Sequence, residues 1–406
     1  MTAVAVTGMG IAAPNGLGAA DYWAATLGAK SGIGRITRFD PSSYPAQLAG
    51  EIPGFEAADH LPGRLLPQTD RVTRLSLAAA DWALADAGVD VAAFDPLDMG
   101  VVTASHAGGF EFGQDELQKL WAKGSQFVSA YQSFAWFYAV NSGQISIRHG
   151  MKGPSGVVVS DQAGGLDALA QARRLIRKGT PLIIGGAVDA SVCPWGWVAQ
   201  LAGGRMSDSD EPTRAYLPFD RDARGYVPGE GGALLTLEPT EAARARGATV
   251  HGELAGYGAT IDPPPHSGRP CTLRTAIRIA LDDAAAAPGD IDVVFADGAG
   301  VPDLDRAEAA AISEVFGAGR VPVTVPKTMT GRLHSGAAPL DVACALLAIR
   351  AGLIPPTVHI DPCPEYDLDL VLYQARPATV RTALVLARGH GGFNSAMVVR
   401  AAPAGT

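Results

Sequence analysis

Residues Gly153–Gly179 read GPSGVVVSDQAGGLDALAQARRLIRKG, a strand, a tight turn and a helix in succession. Val157–Val159 form a short apolar run of the kind that makes a buried strand. Ser160-Asp161-Gln162-Ala163-Gly164-Gly165 turns the chain with small residues. Leu166, Leu169, Ala170 and Ile176 then recur at helical spacing. Arg173, Arg174, Arg177 and Lys178 crowd the last turns, where cations complement the helix dipole, and Gly179 stands where a C-terminal cap belongs. Such an elbow presents a nucleophile at a helix N-terminus, where the dipole stabilises a thiolate or alkoxide. The residue at this elbow is Gln162. An amide exchanges hydrogen bonds but cannot carry an acyl group.

Working outward, the elbow unit recurs. Val321–Val325, a loop and Leu340–Gly352 echo Val157–Val159, the turn and Leu166–Gly179. The preceding unit recurs as well: helix-patterned Arg74–Gly88 and the apolar run Val101–Ser105 match Leu273–Ala284 and Val293–Asp297. Strand-like runs close each half, at Pro181–Gly186 and Gly232–Leu237, then at Thr382–Leu386 and Ser395–Val399. Strands alternating with helices of this length predict mixed or parallel sheets covered by helices, the two halves meeting face to face with helices between. The division falls near Thr240–His251, which is charged and turn-rich. Gly8-Met9-Gly10-Ile11-Ala12-Ala13 fits a dinucleotide fingerprint, but Pro14-Asn15-Gly16 breaks the helix it requires, and the glycines read as a structural turn.

With 406 residues, 47% hydrophobic and 18% charged, the chain has material for a large core. A net charge of -9 argues against nucleic acid as the main partner, since phosphate binding needs a basic stripe. No uninterrupted apolar run approaches membrane-spanning length. The N-terminus enters a strand at once, without a signal-like segment, so a cytoplasmic protein is expected. Cys193, Cys271, Cys344 and Cys363 lack paired or metal-like spacing and read as buried small hydrophobes. The 8 histidines look scattered, so neither a metal site nor any cofactor is expected.

Gly153-Pro154 at the elbow strand and Phe219–Gly232 (FDRDARGYVPGEGG) resemble the thiolase-fold ketosynthases, whose middle motif is FDxxRxGxxxGEGxG. The likeness extends to Val293–Gly317, to Pro326–Leu333 (PKTMTGRL) and to the terminal Gly389–Ser395 (GHGGFNS), and spans essentially the whole chain. It implies a five-layered α-β-α-β-α fold of two pseudo-symmetric halves, residues 1–250, with interface and cavity insertions, and 251–406. Ketosynthases use an elbow cysteine to carry the acyl chain and two histidines to assist decarboxylation. The matching positions here are Gln162, Asp297 and Arg332, so all three groups are replaced. Lys327 matches the family lysine, and Asp305 and Glu308 match an acidic pair that braces the lysine region. His334, two positions past Arg332, could enter the site by a small loop shift.

Gln162 within SDQAGGLDAL, with Gln132–Gly150 (QSFAWFYAVNSGQISIRHG), is similar to the chain-length factors of type II aromatic polyketide synthases, the actinorhodin type among them. The resemblance implies a ketosynthase-like beta subunit that pairs with a catalytic ketosynthase and is served by malonyl-loaded acyl carrier protein. Acyltransferase activity then belongs to the heterodimer in antibiotic biosynthesis, and none to this chain alone. The alternative is an independent malonyl-carrier decarboxylase or condensing enzyme. Gln162 is either an amide packed where a thiol would stand or a polar group aiding decarboxylation or priming. Asp297 and Arg332 are expected to form an ion pair, leaving neither free as a general base.

Phe134, Trp136, Phe137 and Trp195 are aromatics that suit either core packing or an interface and cavity wall. The elbow strand lies at the dimer interface in thiolase-fold proteins, which implies that Gly156–Ser160 pairs with the partner. Phe110, Gly113 and Leu117 share one helical face. Glycine within a helix costs about 1 kcal/mol relative to alanine, so Gly113 suggests that something needs the space. In chain-length factors of the actinorhodin type this face is bulkier and closes the polyketide tunnel. Gly113 and Leu117 are therefore expected to deepen that tunnel.

Overall fold

The computed structural model describes residues 2–264 and 267–402. The first half contains β1 (Val4–Ala13), α1 (Arg71–Asp86), β2 (Met99–Ala104), α2 (Phe110–Lys123) and β3 (Ser155–Val158). It continues through α3 (Gly164–Arg177), β4 (Leu182–Asp189), α4 (Pro194–Leu201) and β5 (Gly231–Pro239). The second half contains β6 (Gly252–Ile261), α5 (Leu273–Asp283), β7 (Val293–Phe295), α6 (Pro302–Phe316) and β8 (Pro322–Thr324). Then follow α7 (Ala337–Ala351), β9 (Thr382–Arg388) and β10 (Phe393–Arg400).

Both halves use one strand order. The first runs β3-β2-β4-β5-β1 and the second β8-β7-β9-β10-β6. In each, the first two pairings are parallel and the last two antiparallel. A short contact, Ala5 opposite Glu253 and Val6 opposite Gly252, joins the two sheets at their first strands. The symmetry breaks at the outer edges. Asp369–Leu370 adds a strand beside β8, whereas β3 has no further neighbour among the described residues.

Hydrophobic patterning sets the layers. α7 is buried continuously from Ala337 to Ala348, as expected of a helix that is apolar all round. With Leu166, Leu169 and Ile176 of α3 it packs between Ile183 and Leu235 of one sheet and Val385 and Val399 of the other. Outside the first sheet, Leu75 and Ala79 of α1 cover Val101, Ile184 and Leu234. Outside the second, Ile277 and Ala280 of α5 cover Val294, Leu384 and Val398. The result is the α-β-α-β-α stack of a thiolase-like fold.

Four expectations need correction. The Gly8–Ala13 segment lies inside β1 and not in a turn; the bend comes after it, at Pro14-Asn15. Its glycines admit α1, because a Cβ at Gly8 or Gly10 would fall 2.0 Å from Ala83 O or 1.8 Å from Ala79 O. The Val157–Val159 run is only half-buried, with Val159 50% exposed, because β3 is an edge strand. Arg173 does more than complement the helix dipole: it bonds Asp283 at 2.6 Å and so ties α3 to α5 of the other half. Of the cysteines, Cys193 and Cys344 are buried but Cys271 and Cys363 are not fully so. Among the described residues, no helix is long and apolar enough to cross a membrane.

Candidate active site of a ketosynthase-like subunit

The chain leaves β3 through Ser160 and reaches α3 through a 3-10 turn, Asp161–Ala163. Asp161 adopts a positive φ of 49°, a conformation costing on the order of 1–3 kcal/mol for a non-glycine residue. Its carboxylate compensates by gathering His106 Nδ1 at 3.0 Å, His334 Nδ1 at 3.4 Å and the His390 backbone N–H at 2.8 Å. This elbow turns Gln162 inward, where it is fully buried.

Asp297 joins Gln162 and Arg332, the other two positions that the resemblance matches to catalytic groups. Gln162 Nε2 donates to Asp297 Oδ1 at 2.6 Å. Arg332 Nη2 donates to the Asp297 oxygens at 3.2 and 3.0 Å, and to Arg388 O at 2.7 Å. The Arg388 backbone N–H adds a further bond to Asp297 Oδ1 at 2.9 Å. Burial opposes the charge on Arg332, but Asp297 outweighs it and holds the guanidinium firmly protonated, above its ordinary range. The ion pair foreseen from the sequence is therefore present, and Gln162 is its third member. Such a cluster has no acyl acceptor and no free base. Gln162 Oε1 and Arg332 Nη1 are buried without a hydrogen-bond partner among the described residues.

Around the cluster the acidic groups differ from expectation. Asp305 and Glu308 do not contact Lys327 directly; its Nζ lies 2.5 Å from Asp341 and donates to Ala296 O at 2.7 Å. Glu308 instead accepts the backbone N–H groups of Asp297 and Gly298, at 2.7 and 2.9 Å. Asp305 accepts those of Phe219 and Gly300, both at 3.0 Å. The pair braces the loop that carries Asp297, and Glu308 and Lys327 bond opposite sides of the Ala296–Asp297 peptide unit. Burial pushes Asp305 and Glu308 up to about 7 and Asp341 up to about 6. Asp341 was missed, although one charged residue within the apolar run LDVACALLAI was its signal.

His334 stays outside the Gln162 cluster. It stacks on His106 with ring centroids 4.2 Å apart and planes 6° from parallel, and its Nε2 contacts Gln200 Oε1 at 2.9 Å. The histidines are thus not all scattered: ligand atoms of His106, Asp161 and His334 lie within 4.8 Å of one another. Two imidazoles and a carboxylate suit a transition-metal ion chemically. Parallel rings, however, cannot both direct their in-plane lone pairs at one ion, so ligation would require a ring to rotate.

The face bearing Phe110, Gly113 and Leu117 is assembled by α2 and α4. Phe110 stacks on Trp195 at 4.6 Å, and Leu117 lines a surface depression with Trp121 and Trp195. The space at Gly113 is not open. A Cβ there would meet Trp195 Cζ3 at 3.0 Å and Trp136 Cβ at 3.4 Å, so the Trp195 ring already fills the gap. Trp136, Phe137 and Trp195 are partly exposed and Phe134 is half-buried, which excludes simple core packing for the first three. Trp197 does belong to the core, fully buried with its Nε1 donating to Ala46 O at 2.9 Å.

This geometry, a ketosynthase elbow closed by an amide and an ion pair, agrees with comparisons to known proteins. Family models for the beta-ketoacyl synthase N-terminal and C-terminal domains match residues 1–243 and 251–361, and the chain belongs to the beta-ketoacyl synthase family. Within that family it is of the beta-subunit, or chain-length-factor, type. A Streptomyces virginiae protein named as a polyketide beta-ketoacyl synthase 2 is 76% identical over 402 residues, covering 99% of this chain and 100% of that protein. The tetracenomycin polyketide synthase ketoacyl synthase beta subunit of Streptomyces glaucescens is 61% identical over 400 residues, covering 98% of each chain. Among solved structures, the ishigamide ketosynthase/chain length factor superposes with a TM-score of 0.90 at 29% identity, covering 99% of this chain and 100% of that one.

Proposed function

We propose that this chain is the chain-length-factor subunit of a minimal type II polyketide synthase. It pairs with a catalytic ketosynthase and shapes the tunnel in which a poly-beta-ketone grows from malonyl-acyl carrier protein in the cytoplasm. One observation carries the reading: an otherwise intact ketosynthase elbow is closed by the mutual contacts of Gln162, Asp297 and Arg332. A relative with the same partner class supports it: a solved type II polyketide synthase ketosynthase bound to its acyl-carrier protein has a TM-score of 0.89 at 26% identity, covering 99% of this chain and 100% of that one.

The alternative of an independent decarboxylase draws less support. Decarboxylation by Gln162 needs its amide N–H aimed at developing negative charge. One of its two N–H groups is instead committed to Asp297, and the side chain is fully buried. The purified chain, incubated alone with malonyl-loaded carrier protein, should give no elongation, and co-expression with a catalytic ketosynthase should give polyketide. Elongation by the chain alone would overturn the proposal.

A further inference from the structure

α4 begins with Pro194, which has no N–H, and the first bond inside the helix runs from Trp197 N–H to Cys193 O at 2.8 Å. Trp195 N–H is therefore the first donor that the helix leaves open. Its acceptor comes from another helix: Gln114 Oε1 of α2 takes it at 2.7 Å. The residue whose backbone is held this way is the one whose ring stacks on Phe110 and fills the space over Gly113. Gln114 directly follows Gly113, so one turn of α2 both offers the gap and fastens the residue that fills it.

This turn of α2 is itself anchored. Buried Asp70 accepts Val72 N–H of α1 at 2.9 Å and Phe112 N–H of α2 at 2.8 Å, so one carboxylate caps two helices. Arg38 Nη2 donates to both oxygens of Glu111 at 2.6 Å, and its Nε donates to Val192 O at 3.2 Å. On the far side, a Cβ at Gly196 would fall 2.2 Å from Ser191 O, so α4 packs there without slack. Against these fixed neighbours, the Gln114 bond sets where α4 starts and where the Trp195 ring lies.

We propose that Gln114 is a positioning residue for chain length: its bond to the Trp195 backbone holds the indole in the gap at Gly113 and so fixes how deep the polyketide reaches. The step from ring to product rests on the reading of the chain as a chain-length-factor subunit; the placement of the ring rests on the geometry alone.

The test uses the heterodimer with its acyl carrier protein and two variants. Gln114→Met keeps side-chain length and helix propensity but removes the acceptor. Gln114→Glu keeps an acceptor and sets a negative charge at a helix N-terminus, where it is favoured. Hydrogen exchange, read by mass spectrometry in peptides covering residues 190–197, should be about tenfold faster in Gln114→Met, the factor that corresponds to one lost hydrogen bond. Its products should shift toward longer chains at unreduced total yield, and Gln114→Glu should match the wild type in both measurements. In a Trp195→Ala background, where the ring is already gone, Gln114→Met should add no further lengthening, because the two residues act as one unit. Unchanged exchange in Gln114→Met would overturn the bond's role in holding Trp195. Faster exchange with wild-type lengths, lengthening by Gln114→Glu as well, or added lengthening in the Trp195→Ala background would overturn the positioning role. Should Gln114→Met not assemble, Gln114→Ser, too short to reach the Trp195 N–H, takes its place. If Trp195→Ala itself leaves length unchanged, the reading of this face fails and the chain-length role with it, while the exchange result still decides the bond.

Discussion

At the scale of single residues, Asp297 organises the site. It receives Gln162, Arg332 and the Arg388 backbone, while Glu308 holds its own N–H. Removing the Gln162 amide strips one donor from a buried carboxylate and leaves a void. Gln162→Ala should therefore cost about 1–3 kcal/mol, read from the denaturant midpoint of the heterodimer. Malonyl-carrier decarboxylation should change less than tenfold. A loss of about 10²–10³ in that rate at unchanged stability would instead mark a direct chemical role for the amide. Gln162, Asp297 and Arg332 were singled out from the sequence, since motif spacing locates positions 162, 297 and 332. The Asp297–Arg332 pair was expected too. The Gln162–Asp297 contact was not legible, because residues 135 apart in the chain meet only through the tertiary packing that sets β9 and β10 against the elbow.

At the scale of elements, β3 and α2 carry the testable claims. β3 bonds β2 on one side only, and Val101 N–H and Ser105 N–H donate to Pro154 O and Val158 O. In a parallel ladder the backbone groups alternate in direction, so residues 154, 156 and 158 face β2 and Val157 faces outward. Val157→Pro removes the outward N–H and spares the ladder, a change that edge strands tolerate. Heterodimer formation in size-exclusion chromatography should be lost while the circular dichroism of the chain persists; intact assembly would show that the edge is not the interface. In α2, Gly113→Thr must push the Trp195 ring, which already lies 3.0 Å from a Cβ at that position. Gly113→Thr with Leu117→Phe should shorten the polyketide, measured by mass spectrometry of the released products. Unaltered length at normal yield would remove this face from chain-length control. Glycine's cost in a helix was readable from sequence, but the ring that exploits it comes from α4 and was not.

At the scale of the whole molecule, burial sets the pH response. Burial raises Asp70, Asp305 and Glu308 to about 7 and Asp341 to about 6, against ordinary carboxyl values near 4. Between about pH 4 and 7 the folded protein thus keeps protons that the unfolded chain has released, so stability falls as pH rises through that window and levels off above it. His106, raised, adds to the fall, and His334, lowered, opposes it. The urea midpoint should be higher at about pH 5.5 than at about pH 7.5; the opposite slope would show that these carboxyls are ionised throughout. Sequence by itself determined the repeated halves and the elbow, because apolar period and motif spacing are local and each half repeats one pattern. Tertiary structure alone decided which edge stays bare, that Lys327 pairs with Asp341, and that His106 meets His334. Those outcomes depend on distances between separate layers, and no spacing along the chain encodes them.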